Sequence, residues 1–257
     1  MAIQTTKTNG ILTIEFNRLE RKNAITGAMY TTMAEALLDA EQDPAVRAVL
    51  ITGKPEIFTA GNDLDDFLNN AGEGAMTEDR PVFRFMRALE GCTKPVVAAV
   101  AGAAVGIGTT LLMHCDLVYC ADNAKFSMPF TQLGLCPEFG SSLLVAQAAG
   151  YTRAAEKLML GEAFLAQEAL EMGIVAKVLP AAELLPFAQA QAAKLVALPA
   201  ASIRATKALM KRPRAALVAE TIAVESKQFS AMLTGPEAKE AFTAFFQKRK
   251  PDFSKFD

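Results

Sequence analysis

One carboxylate in this sequence stands among apolar and small residues. Glu138 lies within Leu133–Ser142, LGLCPEFGSS, just ahead of a helical pattern. A second stretch, Gly102–Asp116 (GAAVGIGTTLLMHCD), reads as a glycine-rich turn that opens a helix, and its only acid is its last residue. Such a turn either avoids side-chain clashes where a strand meets a helix or leaves backbone N–H groups free to bind an anion or an oxyanion. If the two stretches form an active site, that site works with one carboxylate and backbone donors.

Other common catalytic chemistries lack the residues they need. His114 is the only histidine, so a histidine-based metal cluster is impossible, and no cysteine–histidine grouping has zinc spacing. A serine triad would depend on His114 alone, and the sequence has no G-x-S-x-G elbow. Gly102–Gly108 follows the pattern G-x-x-x-G-x-G, which differs from the dinucleotide-binding fingerprint. We therefore expect neither a metal nor a cofactor, and we interpret His114 as a packed or hydrogen-bonded structural residue.

The composition favours a folded protein that binds a small molecule. The chain of 257 residues is 51% hydrophobic and 21% charged, which is enough to bury a sizeable core. Its net charge is −2 and charges of both signs are mixed, so we expect no nucleic acid or anionic membrane as a partner. The start of the chain does not resemble a secretion signal, and the cysteines form no C-x-x-C pair. We expect a cytoplasmic protein with reduced thiols and a small or acyl-type substrate.

The elements that must position these residues alternate between strand and helix. Asn9-Gly10 predicts a hairpin across Ile3–Phe16, and the apolar spacing predicts a helix over Gly27–Gln42. A mobile loop is predicted at Ala71–Thr77, and nearly continuous helix follows Ala181. The other predicted elements are strands at Val46–Thr52, Lys94–Val100, Asp116–Ala121 and Ile174–Val178, and helices at Arg80–Glu90, from the glycine turn to about His114, at Ser141–Ala149 and at Arg153–Leu160. This pattern predicts an α/β region followed by a helical final third.

Several motifs, taken in order and spacing, resemble the enoyl-CoA hydratase/isomerase (crotonase) superfamily. The match runs from Asn17 to about Pro180, and each motif alone is a weak signal. The motifs are Asn17-Arg18 with Arg21-Lys22-Asn23-Ala24, Phe58-Thr-Ala-Gly-Asn-Asp-Leu64, Lys94-Pro95 before an apolar strand, Gly106-Ile-Gly108 with Cys115-Asp116, and Leu133-Gly134 before Glu138. The resemblance implies an α/β crotonase fold of repeated strand-strand-helix (ββα) units with an all-α C-terminal trimerisation region.

The resemblance also implies how the chain is divided. Residues 1–199 would form the ββα core with the acyl-CoA site, and residues 200–257 would form a helical oligomerisation region. The protein is expected to be a homotrimer or a hexamer built from such trimers. Coenzyme A enters as part of the substrate rather than as a cofactor. Lys248, Arg249 and Lys250 either reach the phosphates of a neighbouring subunit's CoA or offset the dipole of a helix C-terminus.

Family members hold the thioester carbonyl with two backbone N–H groups, which the resemblance places at Ala60 and Ile107. These donors would stabilise the enolate that forms when a proton leaves the carbon beside the thioester. Residues Ala60–Leu64 would border the pantetheine of CoA, and residues Arg21–Ala24 its adenine end. The full set of predicted substrate-binding residues is Arg21, Lys22, Ala24, Ala60, Gly61, Asn62, Asp63, Leu64, Gly106, Thr110 and Phe130.

The residues at two catalytic positions distinguish this chain from hydratases. Where hydratases carry two glutamates to activate water and deliver a proton, this chain has Thr110 and Phe130. Glu138 instead stands where the enoyl-CoA isomerase branch carries its single acid, and its apolar neighbours would raise its pKa. The resemblance thus implies a 3-enoyl-CoA to 2-trans-enoyl-CoA isomerase with Glu138 as the base.

Four alternatives remain open at this stage. The substrate could be a ring or branched acyl-CoA, as in aromatic-acid degradation, or the protein could be an enoyl-CoA hydratase. It could also bind acyl-CoA without catalysing a reaction. Finally, Glu138 could be only a helix N-terminal acid stabilised by the helix dipole.

Overall fold

The structure is a computed structural model that describes residues 1–69 and 80–256. It begins with the predicted hairpin, in which β1 (Ile3–Thr8) pairs antiparallel with β2 (Ile11–Phe16). Asn9 and Gly10 at its turn have φ angles of 52° and 77°, the left-handed conformation that a two-residue hairpin turn requires. The loop predicted at Ala71–Thr77 lies outside the described residues.

The larger sheet has six strands in the order β1-β2-β3-β5-β7-β10. After the hairpin, every neighbouring pair in this sheet is parallel. Its remaining strands are β3 (Ala48–Thr52), β5 (Val96–Val100), β7 (Leu117–Ala121) and β10 (Lys177–Leu179). All residues of β3 and β5 are buried, as expected for parallel strands that are covered on both faces.

A second sheet of four short strands was not predicted from the sequence. Its order is β4-β6-β8-β9, and its strands are β4 (Ile57–Thr59), β6 (Ala103–Val105), β8 (Lys125–Ser127) and β9 (Phe164–Leu165). Strands of two or three residues are too short to show a clear alternation of apolar and polar residues. One of these strands, β6, lies between Gly102 and Gly106, in the stretch that the sequence predicted to be a single glycine-rich turn.

The helices follow the predicted spacing closely in most of the chain. The helix predicted from the glycine turn to His114 is instead a single α turn, α4 (Ile107–Thr110), continued by the 3-10 helix Leu111–His114. The other helices are α1 (Gly27–Gln42), α2 (Leu64–Asn69), α3 (Pro81–Glu90), α5 (Ser141–Ala149), α6 (Tyr151–Leu160), α7 (Ala166–Glu171), α8 (Ala181–Ala197), α9 (Ala200–Lys211), α10 (Ala215–Leu233) and α11 (Pro236–Phe246). Across the described ranges, none of these helices combines the length and the apolar character needed to cross a bilayer.

The core lies on both faces of the larger sheet. On one face, α8 packs Leu184 and Ala188 against strand residues such as Leu50 and Val97. The other face belongs to a larger cluster that joins α1, α3 and the second sheet to Phe229 and Phe242 of the C-terminal helices. Helices α10 and α11 are therefore packed against the α/β core of their own chain. The four cysteines are free thiols, as predicted.

Candidate active site

Glu138 lies in a short loop whose backbone is unusual. Phe139, which follows it, has a φ of 58°, and Gly140 has a φ of 73°. A non-glycine residue rarely adopts this left-handed conformation, and a bulky one does so only when its surroundings hold it there. Helix α5 starts immediately afterwards, with Gly140 as its N-cap. The backbone therefore turns between Glu138 and the first residue of α5.

The Glu138 carboxyl group is buried and has a shifted pKa. Burial raises the pKa of Glu138 to about 8, because the charged form loses its hydration. The Thr110 hydroxyl donates a hydrogen bond of 2.7 Å to Oε1 and lowers the pKa, whereas the negative charge of Glu225 raises it. A carboxylate with a pKa near 8 is a stronger base than an exposed one, which is a property of general bases.

Two glycine turns pack against each other beside this loop. A side chain at Gly61 would meet the Val105 carbonyl oxygen at 2.8 Å, and a side chain at Gly108 would overlap the Thr59 methyl group. Strands β4 and β6, which precede the two turns, are paired in parallel. The glycines are therefore required by close backbone approach, and this approach brings residues 60–62 next to the N-terminus of α4.

Two backbone N–H groups at these turns have no acceptor in the described part of the chain. Ile107 is the first residue of α4, so its N–H has no partner within the helix. Asn62 lies opposite Ile25 in a parallel bridge, in which Gly61 O accepts from Ile25 and Asp63 N donates to Ile25. Because alternate residues of an extended chain point their N–H groups to opposite sides, the Asn62 N–H points away from Ile25. Both residues line the same cavity.

The predicted donor role of Ala60 is wrong in this structure. The Ala60 N–H donates to the Lys22 carbonyl oxygen at 3.0 Å and is therefore not available to a ligand. Lys22 itself has a φ of 51°, which directs its carbonyl toward the turn, and it is not among the described residues that line the cavity. In the first turn, the free donor is thus two residues later, at Asn62.

The cavity that Asn62 and Ile107 share has a volume of about 460 Å³. Most of the predicted substrate-binding residues line it, and so do aromatic residues of α10 and α11 that were not predicted. The predicted residues in its wall are Arg21, Ala24, Ala60, Gly61, Asn62, Asp63, Leu64, Gly106, Ile107 and Phe130, and the unpredicted aromatic residues are Phe229, Phe242, Phe245 and Phe246. Residues after 199 therefore contribute to this cavity, whereas the acyl-CoA site was expected in residues 1–199.

Glu138 lines a small cavity, here called the passage, whose wall shares residues with this cavity and with a second one. The passage has a volume of about 20 Å³ and shares Asn62 and Phe229 with the first cavity. It shares Phe83, Met86 and Ser226 with the second cavity, which has a volume of about 570 Å³ and lies between α3 and α10. Glu138 is the only acid among the described residues that line the passage. A ligand that extended from the first cavity to the second along these shared residues would pass its carboxyl group.

The basic residues that were expected near CoA are partly engaged within the chain. Arg21 Nη2 lies 2.7 Å from Asp65 Oδ2 and 3.7 Å from Asp63 Oδ2. Asp63 is buried and also pairs with Arg18 at 2.6 Å, and these contacts lower the pKa of its carboxyl group although burial opposes them. Near the C-terminus, both guanidinium Nη groups of Arg249 bind the Glu240 carboxylate. Arg249 is therefore held in its own chain, whereas Lys248 and Lys250 are exposed.

The structure shows the surroundings of Thr110 and Phe130, the two positions where the resemblance places the glutamates of hydratases. Thr110 is fully buried, and its hydroxyl group is the donor to Glu138. Phe130 lines the first cavity and packs edge-on against Phe229, with ring centroids 6.5 Å apart. Neither side chain can accept a proton near neutral pH, and among the described residues at the passage Glu138 has the only carboxyl group.

Three further side chains support the site, and only one of them, His114, was singled out from the sequence. The Tyr30 hydroxyl donates to Asn62 Oδ1 at 2.5 Å and fixes that side chain; burial raises the pKa of Tyr30 and keeps it protonated. Glu225 of α10 accepts hydrogen bonds from the start of α5. His114 contacts Phe139, as the structural interpretation of this histidine predicted. None of these contacts has a local sequence signal, because each joins residues more than 20 positions apart.

Comparison with known proteins identifies the family and the fold of this chain. The family described as "Enoyl-CoA hydratase/isomerase" matches residues 6–255. "Probable enoyl-CoA hydratase echA8" of Mycobacterium leprae is 34% identical over 95% of this chain and 94% of that protein. Enoyl-CoA delta isomerase 2 of Rattus norvegicus is 38% identical over 82% of this chain and 54% of that protein. An enoyl-CoA hydratase/isomerase structure from Pseudoalteromonas atlantica T6c, 36% identical, superposes with a TM-score of 0.93 over 98% of this chain and 100% of that chain.

The family match over residues 6–255 and the likeness of the whole chain to an enoyl-CoA hydratase/isomerase structure show that the protein has the crotonase fold and belongs to the enoyl-CoA hydratase/isomerase family.

Proposed function

We propose that this enzyme is a 3-enoyl-CoA isomerase that moves the double bond to the 2-trans position. The observation that carries the proposal is the position of Glu138. It is a buried carboxyl group with a pKa near 8, and it is the only acid among the described residues at the passage that adjoins Asn62. An isomerisation of this kind needs one group that both removes and returns a proton, and one carboxylate can do both.

The thioester carbonyl oxygen would accept hydrogen bonds from the Asn62 and Ile107 N–H groups. Ionised Glu138 then takes a proton from C2, and the electrons of that C–H bond move onto the thioester oxygen as an enolate. This enolate is conjugated with the double bond between C3 and C4. Glu138 next returns the proton to C4, the carbonyl forms again, and the double bond lies between C2 and C3. Each backbone donor that meets the developing oxyanion typically contributes about 10²- to 10³-fold to the rate.

The surroundings of Glu138 favour proton transfer over hydration. A hydratase needs one group to activate water and another to deliver a proton, and at the second position this chain has the apolar Phe130. Burial of Glu138 also limits the access of water to the enolate. The hydroxyl group of Thr110 can orient the carboxylate, but it cannot replace a second carboxylate.

The two cavities on either side of the passage suggest a path for the substrate. The CoA portion would occupy the 460 Å³ cavity, where Asn62 and Ile107 lie, and the acyl chain would pass Glu138 into the 570 Å³ cavity. The wall of the second cavity includes Phe83, Met86 and Ile222, which offer apolar contacts to a hydrocarbon chain, beside the charged residues Arg87, Glu90 and Lys227. We therefore propose a medium- or long-chain acyl group rather than a short one.

Exposed apolar side chains support the expectation that the chain forms a homo-oligomer. Contacts between the chains of a homo-oligomer commonly bury apolar side chains that are exposed in the single chain. The most exposed large apolar residues of the described helices include Tyr151, Met159, Leu209, Met210 and Val224. We propose the trimer that the family resemblance implies, and light scattering would give its mass.

The direct test is to incubate the protein with 3-enoyl-CoA and to follow the absorbance of the conjugated 2-enoyl thioester. We expect the absorbance to rise for at least one straight-chain substrate. Cyclic 3-enoyl-CoA substrates, assayed in parallel, identify a preference for ring acyl groups. If no chain length gives a signal although acyl-CoA binds tightly, the protein binds acyl-CoA without this activity and the proposal is wrong.

A further inference from the structure

The loop that carries Glu138 is held by contacts from two distant elements. Phe139 and Gly140 both have positive φ angles, and Phe139 has a large side chain that makes this conformation unfavourable. Strain of this kind persists only where surrounding contacts outweigh it. The loop would otherwise relax, and the Glu138 carboxylate would turn with it. The residues that prevent this relaxation are therefore linked to the proposed reaction.

Glu225 supplies one of these contacts from α10. Its buried carboxylate accepts a hydrogen bond from the Gly140 N–H at 2.5 Å through Oε2. The other oxygen, Oε1, accepts from the Ser142 N–H at 2.9 Å and also from the Ser142 hydroxyl group. The two oxygens of Glu225 thus bind the N-cap residue Gly140 and the second residue of α5, Ser142. Their negative charge is also favourable at a helix N-terminus.

His114 supplies the other contact from the 3-10 helix that follows Thr110. Its ring stacks on the Phe139 ring, with centroids 3.8 Å apart and an interplanar angle of 14°. Its Nε2 lies 2.8 Å from the Phe139 carbonyl oxygen, which can only accept, so the proton of the ring is on Nε2. Burial lowers the pKa of His114 to about 3, so the ring is neutral and cannot serve as an acid near pH 7.

We propose that Glu225 and His114 are positioning residues that hold the Glu138 loop in the conformation from which the carboxylate reaches C2. This inference rests on the proposed function. Neither residue is among the described residues that line the three cavities, so neither is placed to touch the substrate. Glu225 binds Gly140 and Ser142, and His114 binds Phe139, so both residues contact the segment that follows Glu138. The Glu138 side chain itself accepts a hydrogen bond from Thr110. Loss of either contact should therefore reduce turnover without weakening acyl-CoA binding.

The test compares three variants by their kcat and by their affinity for a saturated acyl-CoA. Glu225→Ala removes both acceptors, and we expect kcat to fall roughly 10²-fold, as for a small displacement of a catalytic group. Glu225→Gln keeps one acceptor oxygen, so we expect an intermediate loss of about tenfold in kcat. Glu220→Ala, an exposed glutamate on the same helix, is the matched control and should have no effect. Affinity for the saturated acyl-CoA should stay within about twofold in all three.

His114 is tested separately with His114→Phe. This variant keeps a ring that can stack on Phe139 but removes the N–H donor, which leaves the Phe139 carbonyl unsatisfied. We expect kcat to fall about tenfold at unchanged affinity, as for a lost hydrogen bond. A combined His114→Phe and Glu225→Gln variant should show a non-additive loss, because both residues act on one loop.

Distinct results would overturn the inference and the proposed function. If Glu225→Gln and His114→Phe both keep wild-type kcat, or if affinity falls in proportion to kcat, Glu225 and His114 are ordinary structural residues. Exchange of the C2 hydrogen of a saturated acyl-CoA in D₂O provides a second readout of the base. A wild-type protein that neither isomerises 3-enoyl-CoA nor exchanges this hydrogen refutes the proposed function itself. If Glu225→Ala does not fold, the Glu225→Gln result decides.

Discussion

Thr110 Oγ1 lies 2.7 Å from Glu138 Oε1 and donates a hydrogen bond to it, although the two residues are 28 positions apart. The resemblance places Thr110 where hydratases carry a glutamate. Thr110 therefore supplies no second carboxylate. Its hydroxyl group instead stabilises the charged form of the Glu138 carboxylate. Burial raises the pKa of Glu138 to about 8, and the Thr110 hydroxyl keeps it from rising further.

Replacement of Thr110 should shift the pH dependence of the reaction upward. Because Glu138 must be ionised to accept a proton, kcat/KM should rise with pH and level off above about pH 8. Thr110→Val keeps the shape but removes the donor, so the pKa of Glu138 should rise by about one unit, which corresponds to a hydrogen bond to a charged group. The pH profile of kcat/KM measures this shift. Thr32→Val, at an exposed threonine, is the control, and a profile that stays in place or moves to lower pH would contradict the assignment.

The packing of the two glycine turns can be tested by a pair of compensating changes. Gly108→Ala should overlap the Thr59 methyl group, displace the start of α4 and move the Ile107 donor. We expect a destabilisation of about 1–3 kcal/mol, typical of overpacking, together with a loss of kcat/KM. Thr59→Ser removes that methyl group but keeps the hydroxyl that binds Asn23 O and Gly61 N. Thermal unfolding and kcat/KM should therefore recover in the double variant; a double variant as impaired as Gly108→Ala would refute the steric explanation.

The second cavity should determine the preference for chain length. Ala223 lines this cavity and is exposed, so Ala223→Phe should fill the space without disturbing the core. We expect kcat/KM to fall at least about tenfold for a twelve-carbon 3-enoyl-CoA, because the loss of apolar contact is worth about 1–3 kcal/mol, and to change little for a six-carbon one. Ala216→Phe, exposed on the same helix and not among the residues that line the cavity, is the control. Equal losses with both substrates would show that the acyl chain does not enter this cavity.

Hydration of 2-enoyl-CoA should be slow compared with isomerisation. Thr110 and Phe130 supply no second acid–base group, and the loss of such a group typically costs about 10²- to 10⁴-fold. We therefore expect the formation of 3-hydroxyacyl-CoA to be at least about 10²-fold slower than the isomerisation of a 3-enoyl-CoA of the same length. Chromatography of the products measures both rates in one reaction. Comparable rates would mean that Glu138 activates water and that the protein is a hydratase.

Local sequence signals predicted the elements that carry the site better than the site itself. The bounds of α1 and α5 match the prediction because their apolar spacing and end signals are local. The motif at residues 58–64 predicted the first turn, but not that the Lys22 carbonyl takes the Ala60 N–H, which depends on how a distant segment docks. Glu225 gave no signal at all, because its role arises only when α10 packs against the loop after Glu138. Sequence patterns thus indicated the candidate site residues, and long-range packing determined which of their backbone N–H groups lack an acceptor in the described part of the chain.

The role of Glu138 as the base of the isomerisation is tested most directly by comparing the Glu138→Gln variant with the wild-type protein. The amide keeps the shape of the side chain and can still accept a hydrogen bond from Thr110, but it cannot take the C2 proton. We expect kcat for 3-enoyl-CoA to fall by about 10²- to 10⁴-fold. We expect the affinity for a saturated acyl-CoA to stay nearly unchanged, because the proposed thioester donors of Asn62 and Ile107 are backbone groups that the substitution leaves in place. A variant that retains near-wild-type turnover would show that Glu138 is only a helix-start acid, and one that loses turnover and acyl-CoA binding together would show a structural role instead.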